Sequence, residues 1–259
     1  MTPATAIVPA RLQSTRLPGK PLADINGKPM VVRVMEQVAT ADFSQVVAAV
    51  DDEAVQDVVE AAGFKSVMTS IDHVSGSDRV NEVADQLKLG ADEIVINVQG
   101  DEPLIPTAVL NHMINAMADD AALDWVTFKE PILRVEDYLN PNVVKVVCAD
   151  TGDALYFSRA PIPHVRDRSQ DSLSTEDLRM IGASRHIGIY GFRRSALAEF
   201  VSLGRNSVGS HAALENIEML EQLRWLQAGH RIHVLEAPEA VPGGIDTPED
   251  LERVRQLMT

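Results

Sequence analysis

Arg11, Arg16 and Lys20 share one loop, Pro9-Ala10-Arg11-Leu12-Gln13-Ser14-Thr15-Arg16-Leu17-Pro18-Gly19-Lys20-Pro21-Leu22, with Ser14 and Thr15 between the cations. The loop leaves a short β-branched run, and ligands of open α/β sheets bind outside the carboxyl ends of the strands. Three cations there, in a chain of net charge −15, read as an anion site. It is not a Walker A loop, because Pro21 follows Gly19-Lys20 and no glycine lies five residues earlier. A second stretch, Val98-Gln99-Gly100-Asp101-Glu102-Pro103, delivers an acid after an apolar strand. A carboxylate so placed can hold Mg²⁺, which needs only one or two protein carboxylates beside substrate phosphates. Gly100 would let the backbone approach closely. A third acid, Asp246 in Gly243-Gly244-Ile245-Asp246-Thr247-Pro248-Glu249-Asp250, completes such a site if the chain returns to the same edge. The bland reading is strong here, since Asp-Thr-Pro-Glu-Asp before an apolar helical pattern is also a good N-cap with acids in the first turn.

Three further groups have weaker chemistry. Ser75-Gly76-Ser77-Asp78-Arg79 precedes a helical pattern, so its amides could meet an anion or a base edge. Ser158-Arg159 and Arg185-His186-Ile187-Gly188-Ile189-Tyr190 supply cations and hydroxyls able to grip an acidic substrate. In Leu214-Glu215-Asn216-Ile217-Glu218-Met219-Leu220-Glu221-Gln222-Leu223-Arg224, Ile217, Leu220 and Leu223 make a core stripe. Glu215, Glu218 and Gln222 fall on another face at spacings of three and four, a face for a polyol or for water. His-Glu-x-x-His, Gly-x-Ser-x-Gly and Gly-x-Gly-x-x-Gly are all absent from the sequence, which weakens metalloprotease, hydrolase and dinucleotide readings.

Positioning such groups takes a scaffold, and the first half of the chain alternates short β-branched runs with amphipathic stretches, an α/β pattern. Strands are expected at 6–9, 45–50, 65–69 and 93–98, helices at 28–39, 53–62, 77–87 and 108–117, with Gly63 ending the second helix. After Gln99 the rhythm changes. Runs at 125–128, 143–147, 154–158 and 186–192 read as strands with little helix between, an antiparallel addition to a parallel sheet. The polar stretch 163–183 reads as a long mobile loop. A helix over 213–227, a strand at 232–236 and a helix over 248–258 close the chain, with Thr247 or Asp246 as the last N-cap. One domain, 1–259, with 125–192 as a β-rich insertion, is the expected organisation.

The 259 residues suffice for an ordinary core, and 45% hydrophobic with 24% charged residues is globular composition. The acidic balance argues against nucleic-acid partners, which need a basic surface. One cysteine, Cys148, suits a reducing compartment. No apolar run approaches the length of a membrane span, and the N-terminus lacks a secretory pattern. Cytoplasm is the expected location.

Eight strings, in order, carry a resemblance: PARLQSTRLPGKPL (9–22), MTSIDHVSGSDR (68–79), INVQGDEPLI (96–105), NPNVVKVV (140–147), ALYFSRAPIP (154–163), RHIGIYGF (185–192), LENIEMLEQLR (214–224) and GIDTPEDLERVR (244–255). Together they resemble the 3-deoxy-manno-octulosonate cytidylyltransferases, the CMP-Kdo synthetases, from about residue 6 to 257. The resemblance implies a three-layer, nucleotidyltransferase-like (Rossmann-like) mixed sheet whose antiparallel addition serves dimerisation and sugar binding. It implies CMP transfer from CTP to Kdo with release of pyrophosphate, for lipopolysaccharide assembly, with Mg²⁺, in a homodimer of the Gram-negative cytoplasm. By matching motifs, Arg11, Lys20 and Asp101 form the catalytic set. Pro9, Ala10, Arg11, Lys20, Ser75 and Gly76 bind the nucleotide, and Asp101 and Asp246 the metal. Arg79, Gln99, Arg159, His186, Tyr190 and Glu215 line the sugar site. Val50 departs from the pattern, standing where the family usually has a hydroxyl residue. The rival readings are transfer to another acidic sugar, such as sialic acid or amino-Kdo, and a nucleotide-binding regulator without turnover.

Overall fold

The computed structural model describes residues 2–14, 17–73, 75–206 and 212–258; Thr15 and Arg16 of the cationic loop lie outside them. Its contacts divide the chain into two compact units, residues 1–122, 189–198 and 238–259 in one and 123–188 and 199–237 in the other. In chain order the elements begin with β1 (Ala4–Ala10), β2 (Asp24–Ile25), β3 (Lys28–Pro29), α1 (Met30–Val38), β4 (Gln45–Val50), α2 (Glu53–Ala61), β5 (Lys65–Met68), α3 (Gly76–Gln86), β6 (Ile94–Asn97) and α4 (Thr107–Asp119). There follow β7 (Trp125–Pro131), α5 (Val135–Leu139), β8 (Lys145–Cys148), β9 (Ala154–Ser158), α6 (Thr175–Met180), β10 (Ser184–Arg193), α7 (Arg194–Asn206), α8 (Ala212–Glu218), α9 (Gln222–Gln227), β11 (His233–Glu236) and α10 (Pro248–Leu257). No helix among the described residues is long and apolar enough to cross a membrane.

In the first unit β6, β1, β4 and β5 lie side by side and parallel, Ile7 opposite Asn97 and Ala10 opposite Val50. The second half of β10 pairs antiparallel with β6, so the sheet is mixed, as the fold reading expects. Nearly every residue of β1 and all of β6 are buried; continuous apolar strands belong where helices cover both faces. The chain runs from β1 outward through β4 and β5, then returns to place β6 on the other side of β1. That reversal opens a crevice at the carboxyl ends of β1 and β6, the place where such sheets bind ligands.

Local chemistry explains the boundaries. Lys28-Pro29 was expected as helix but pairs with Asp24-Ile25. Asn26 and Gly27 both have positive φ, 50° and 83°, the two-residue hairpin turn that Asn-Gly favours, and α1 starts only after Pro29. Asp52 caps α2 by accepting the Ala54 N–H at 2.8 Å, and Gly63 follows its end at φ 84° as read from the sequence.

In the second unit β11 runs parallel to β7, β8 pairs antiparallel with β9, and Arg185 of β10 lies opposite Lys145 of β8. Two expectations need correction here, besides the unanticipated helices α5 and α7. The 163–183 stretch is not wholly loop: α6 forms within it, started by a capping box between Ser174 and Asp177, a Ser-x-x-acid signal that was readable in the sequence. The single helix over 213–227 is broken into α8 and α9 at Met219, whose φ is 53°. Arg159 holds the break. Its Nε donates to the Glu218 carbonyl at 2.7 Å and its Nη2 to that of Met219 at 3.3 Å, while Glu218's carboxylate accepts from Ser158 Oγ and the Arg159 N–H. Ile217 consequently leaves the core, 78% exposed, and Gln222 is buried.

Lys145 is a tightly held polar group of this unit. Fully buried, its ammonium donates to the carbonyls of Asn140, Val143 and Arg159 at 3.0, 2.6 and 2.7 Å. Burial, then the neighbouring Arg159 charge, push its pKa down, and Glu218 opposes them. Lys145→Met leaves three carbonyls without their donor, and urea unfolding should show a loss of about 3 kcal/mol.

Candidate active site

The anion loop, the acid after β6 and the returning C-terminal segment meet in the first unit. Lys20 Nζ lies 2.5 Å from Asp101 Oδ2 and 3.1 Å from Asp246 Oδ1. Three mutually distant segments converge because each follows from a local constraint. Lys20 opens a 3-10 turn after Gly19, which takes φ 68°. Asp101 follows Gly100, where an added Cβ would stand 2.5 Å from the Pro9 carbonyl oxygen; only glycine lets the two chain ends approach so closely. The Ile245 N–H donates to the Asp101 carbonyl at 2.9 Å, bringing Asp246 to the crevice. The ambiguity over Asp246 is thereby resolved: Thr247 is the N-cap of α10, in a capping box with Asp250, and Asp246 turns its carboxylate to Lys20.

Pro9, Ala10, Arg11, Gln13, Ser14, Lys20, Pro21, Gln99, Gly100 and Asp101 line this open cleft, about 80 Å³ in volume. Arg11 is exposed. A neighbouring recess shares Pro9, Arg11 and Gln99 with the cleft and adds His73, Ser75, Gly76 and Arg79. Ser75 caps α3, its Oγ accepting the Asp78 N–H at 3.2 Å. Arg79 is only 3% exposed and is engaged within the protein, with Asp51 Oδ2 at 2.9 Å and with Thr69 Oγ1. Asp51 accepts the Leu12 N–H through its other oxygen at 2.9 Å. Asp51 thus straps the cationic loop to α3, a role the sequence reading missed although it follows a parallel strand just as Asp101 does. Val50 uses its carbonyl there, accepting from both the N–H and the hydroxyl of Thr69.

The residues expected to line a sugar site divide between the units. Arg79, Gln99 and Tyr190 belong to the first, with Gln99 on the cleft and Tyr190 5% exposed on β10. Arg159, His186 and Glu215 belong to the second. There Arg159 holds the α8 terminus, and Glu215 forms a two-pronged pair with Arg224 at 2.7 and 2.5 Å. His186 Nε2 sits 2.9 Å from Thr127 Oγ1. Among the described residues no group of three or more His, Cys, Asp or Glu could hold a metal ion.

Residues 5–232 match the family model described as cytidylyltransferase. The chain belongs to the cytidylyltransferase family. It is a nucleotidyltransferase, and its relatives narrow the branch. It is 48% identical over 256 residues to the 3-deoxy-manno-octulosonate cytidylyltransferase of Cellvibrio japonicus, covering 97% of this chain and 96% of the relative. It is 49% identical to that of Pseudomonas syringae pv. tomato, covering 98% and 97%. A solved CMP:2-keto-3-deoxy-manno-octonic acid synthetase, complexed with CTP, superposes with TM-score 0.87 at 41% identity, covering 99% of this chain and 98% of that one. A 4-diphosphocytidyl-2C-methyl-D-erythritol synthase, at 12% identity and TM-score 0.63, shares the fold.

Two outcomes follow from this cytidylyltransferase's geometry. Gly100→Ala must separate Pro9 from Asp101, and a displacement near 1 Å costs on the order of 100-fold in rate; steady-state kinetics should show that loss with the far-UV circular dichroism unchanged. Burial pushes His186 down to about 3, whereas an unfolded imidazole titrates near 6.5, so the unfolded chain alone takes up the proton between those values. Stability should therefore fall as pH drops from about 6.5 toward 3, by on the order of 1 kcal/mol per pH unit. Unfolding curves for His186→Gln against the wild type should show a flatter acid limb.

Proposed function

We propose that the protein transfers CMP from CTP to the anomeric hydroxyl of Kdo and releases pyrophosphate. The observation that carries the reading is the Lys20 ammonium held between Asp101 and Asp246 at the β1–β6 crevice, in a chain similar along its length to enzymes named for that reaction. The sugar hydroxyl attacks the α-phosphorus in line, and the bond from that phosphorus to the bridging oxygen of the β-phosphate breaks. Arg11 and Lys20 bind the phosphates and neutralise charge gathering on the leaving pyrophosphate, so orientation and electrostatics supply most of the rate. No protein nucleophile is required.

Asp101 and Asp246 are the proposed Mg²⁺ ligands. Two carboxylates gathered at one point, without nitrogen or sulfur donors, suit a hard cation that completes its shell with water and substrate phosphates. When bound, Mg²⁺ supplies charge for the phosphate oxygens and lowers the pKa of the attacking hydroxyl. For the nucleotide we propose Pro9, Ala10, Arg11, Lys20, Ser75 and Gly76, and for the sugar Arg79, Gln99, Arg159, His186, Tyr190 and Glu215. The whole chain is taken as one nucleotidyltransferase domain with 125–192 as its β-rich insertion, acting in the cytoplasm as a homodimer. The single, half-buried Cys148 supports that compartment.

Pyrophosphate release from CTP and Mg²⁺, with Kdo and N-acetylneuraminic acid as parallel acceptors, tests the assignment. Release is expected with Kdo alone and should fall by at least ~100-fold in Asp101→Ala. Release with the sialic acid instead, or with neither acceptor, would overturn it.

A further inference from the structure

The ammonium of Lys20 stands where the proposed metal would have to stand. Its Nζ contacts Asp101 Oδ2 at 2.5 Å and Asp246 Oδ1 at 3.1 Å, on the two carboxylates named above as Mg²⁺ ligands. Mg²⁺ takes its oxygens at about 2.0–2.1 Å in a near-ideal octahedral shell. One gap between two carboxylates does not hold that shell and an ammonium together, and cations so close repel strongly in a sheltered crevice. The residue assigned to the phosphates is therefore also the residue that fills the metal site.

The backbone fixes everything here except the lysine stem. The Lys20 N–H donates to the Leu17 carbonyl and the Lys20 carbonyl accepts the Ala23 N–H, both at 3.1 Å, and Pro21 beside it is buried. The two carboxylates are placed without help from the ammonium. Asp101 sits in a turn whose Glu102 N–H donates to the Gln99 carbonyl at 3.2 Å, and its own carbonyl accepts the Ile245 N–H. The Asp246 N–H donates to Asp250 Oδ2 at 3.1 Å. What can move is the four-carbon stem of Lys20, whose ammonium carries three rotatable donors and borders the same cleft as Arg11, Gln13 and Ser14. About half of the Asp246 side chain reaches solvent, so the gap between the carboxylates is open from outside. A triphosphate in the cleft gives the ammonium a second set of oxygens, just as a metal carried on that triphosphate requires the first.

We propose that Lys20 is a place-holding cation: it neutralises Asp101 and Asp246 and keeps free divalent metal out until a triphosphate draws the ammonium away, so that the site takes its metal as the metal–nucleotide complex. This rests on the reading of the crevice as a Mg²⁺ and CTP site and adds to it the order in which charges are exchanged. A ligand shifts such an equilibrium only through its different affinity for the two states, and here the states differ by a whole cation between two carboxylates.

The test measures Mn²⁺ binding to the nucleotide-free protein, from the loss of the free-ion signal in electron paramagnetic resonance, for the wild type, Lys20→Met, Lys20→Arg and a double variant joining Lys20→Met to Asp101→Ala. The wild type should bind weakly, and Lys20→Met at least ~10-fold more tightly because the competing charge is gone. Lys20→Arg keeps that charge and should stay close to the wild type, and the double variant should lose the gain. Mg²⁺ alone should raise the Tm of Lys20→Met, whose carboxylates lack a counter-charge, and leave that of the wild type unchanged. If Lys20→Met folds only with a divalent cation, recovery of its circular dichroism by Mg²⁺, and not by NaCl of equal ionic strength, is the same result. Equal Mn²⁺ affinity in the wild type and Lys20→Met, an equal gain in Lys20→Arg, a gain that survives the loss of Asp101, or a Lys20→Met protein that Mg²⁺ does not stabilise would overturn the proposal. Calorimetry of the wild type with CTP and Mg²⁺ tests the underlying reading separately: no CTP binding would overturn the nucleotide assignment, with the Mn²⁺ affinities still deciding the role of Lys20.

Discussion

One ammonium between two carboxylates organises the first unit. Lys20, Asp101 and Asp246 come from a loop after the first strand, a turn after the sixth and a segment close to the C-terminus, and they meet at 2.5 and 3.1 Å. Two carboxylates brought together without a cation would repel each other, so Lys20 makes their proximity tolerable and is held in turn by both. At 15% exposure the ammonium is sheltered enough for these contacts to outweigh those of a pair in open water. The same separation of charges that stabilises the crevice suits the triphosphate proposed to bind there, with cations for its oxygens and carboxylates for a companion metal.

Around that centre the protein spends its polar groups on holding the backbone. Asp51 joins the Leu12 N–H to Arg79, so the cationic loop and the start of α3 move as one piece. Glu82 does the same for the Ser70 to His73 turn. In the second unit Lys145 and Arg159 satisfy carbonyls that a loop and a broken helix leave open. A fully buried cation such as Lys145 is costly to desolvate, and here it is matched by three acceptors. On the proposed function, rigidity at the crevice also serves catalysis, since phosphoryl transfer without a protein nucleophile depends on where the charges already are.

Much of this organisation is legible in the residues. Alternation of β-branched runs with amphipathic stretches gives the parallel sheet, because period and length follow from backbone geometry alone. The cationic loop and Asp101 stand out because each follows a strand, and strand ends in such sheets share an edge. Other features are invisible for equally physical reasons. The break at Met219 is held by Arg159, far away in sequence, and interrupts a good helical stripe. Asp51 and His73 look ordinary until their partners are known, since an acid after a strand or a histidine in a turn has many bland uses.

By itself the sequence determined the kind of sheet, the edge at which chemistry sits and, through its motifs, the resemblance to an enzyme family. Local interactions set these, and they are written in residues close together in the chain. The tertiary structure alone decided that Asp246 faces Lys20 instead of capping α10 and that Arg79 is locked to Asp51. Each of those outcomes depends on chain ends meeting across the fold, where hydrogen-bond capacity is allotted only once every competing partner is in place.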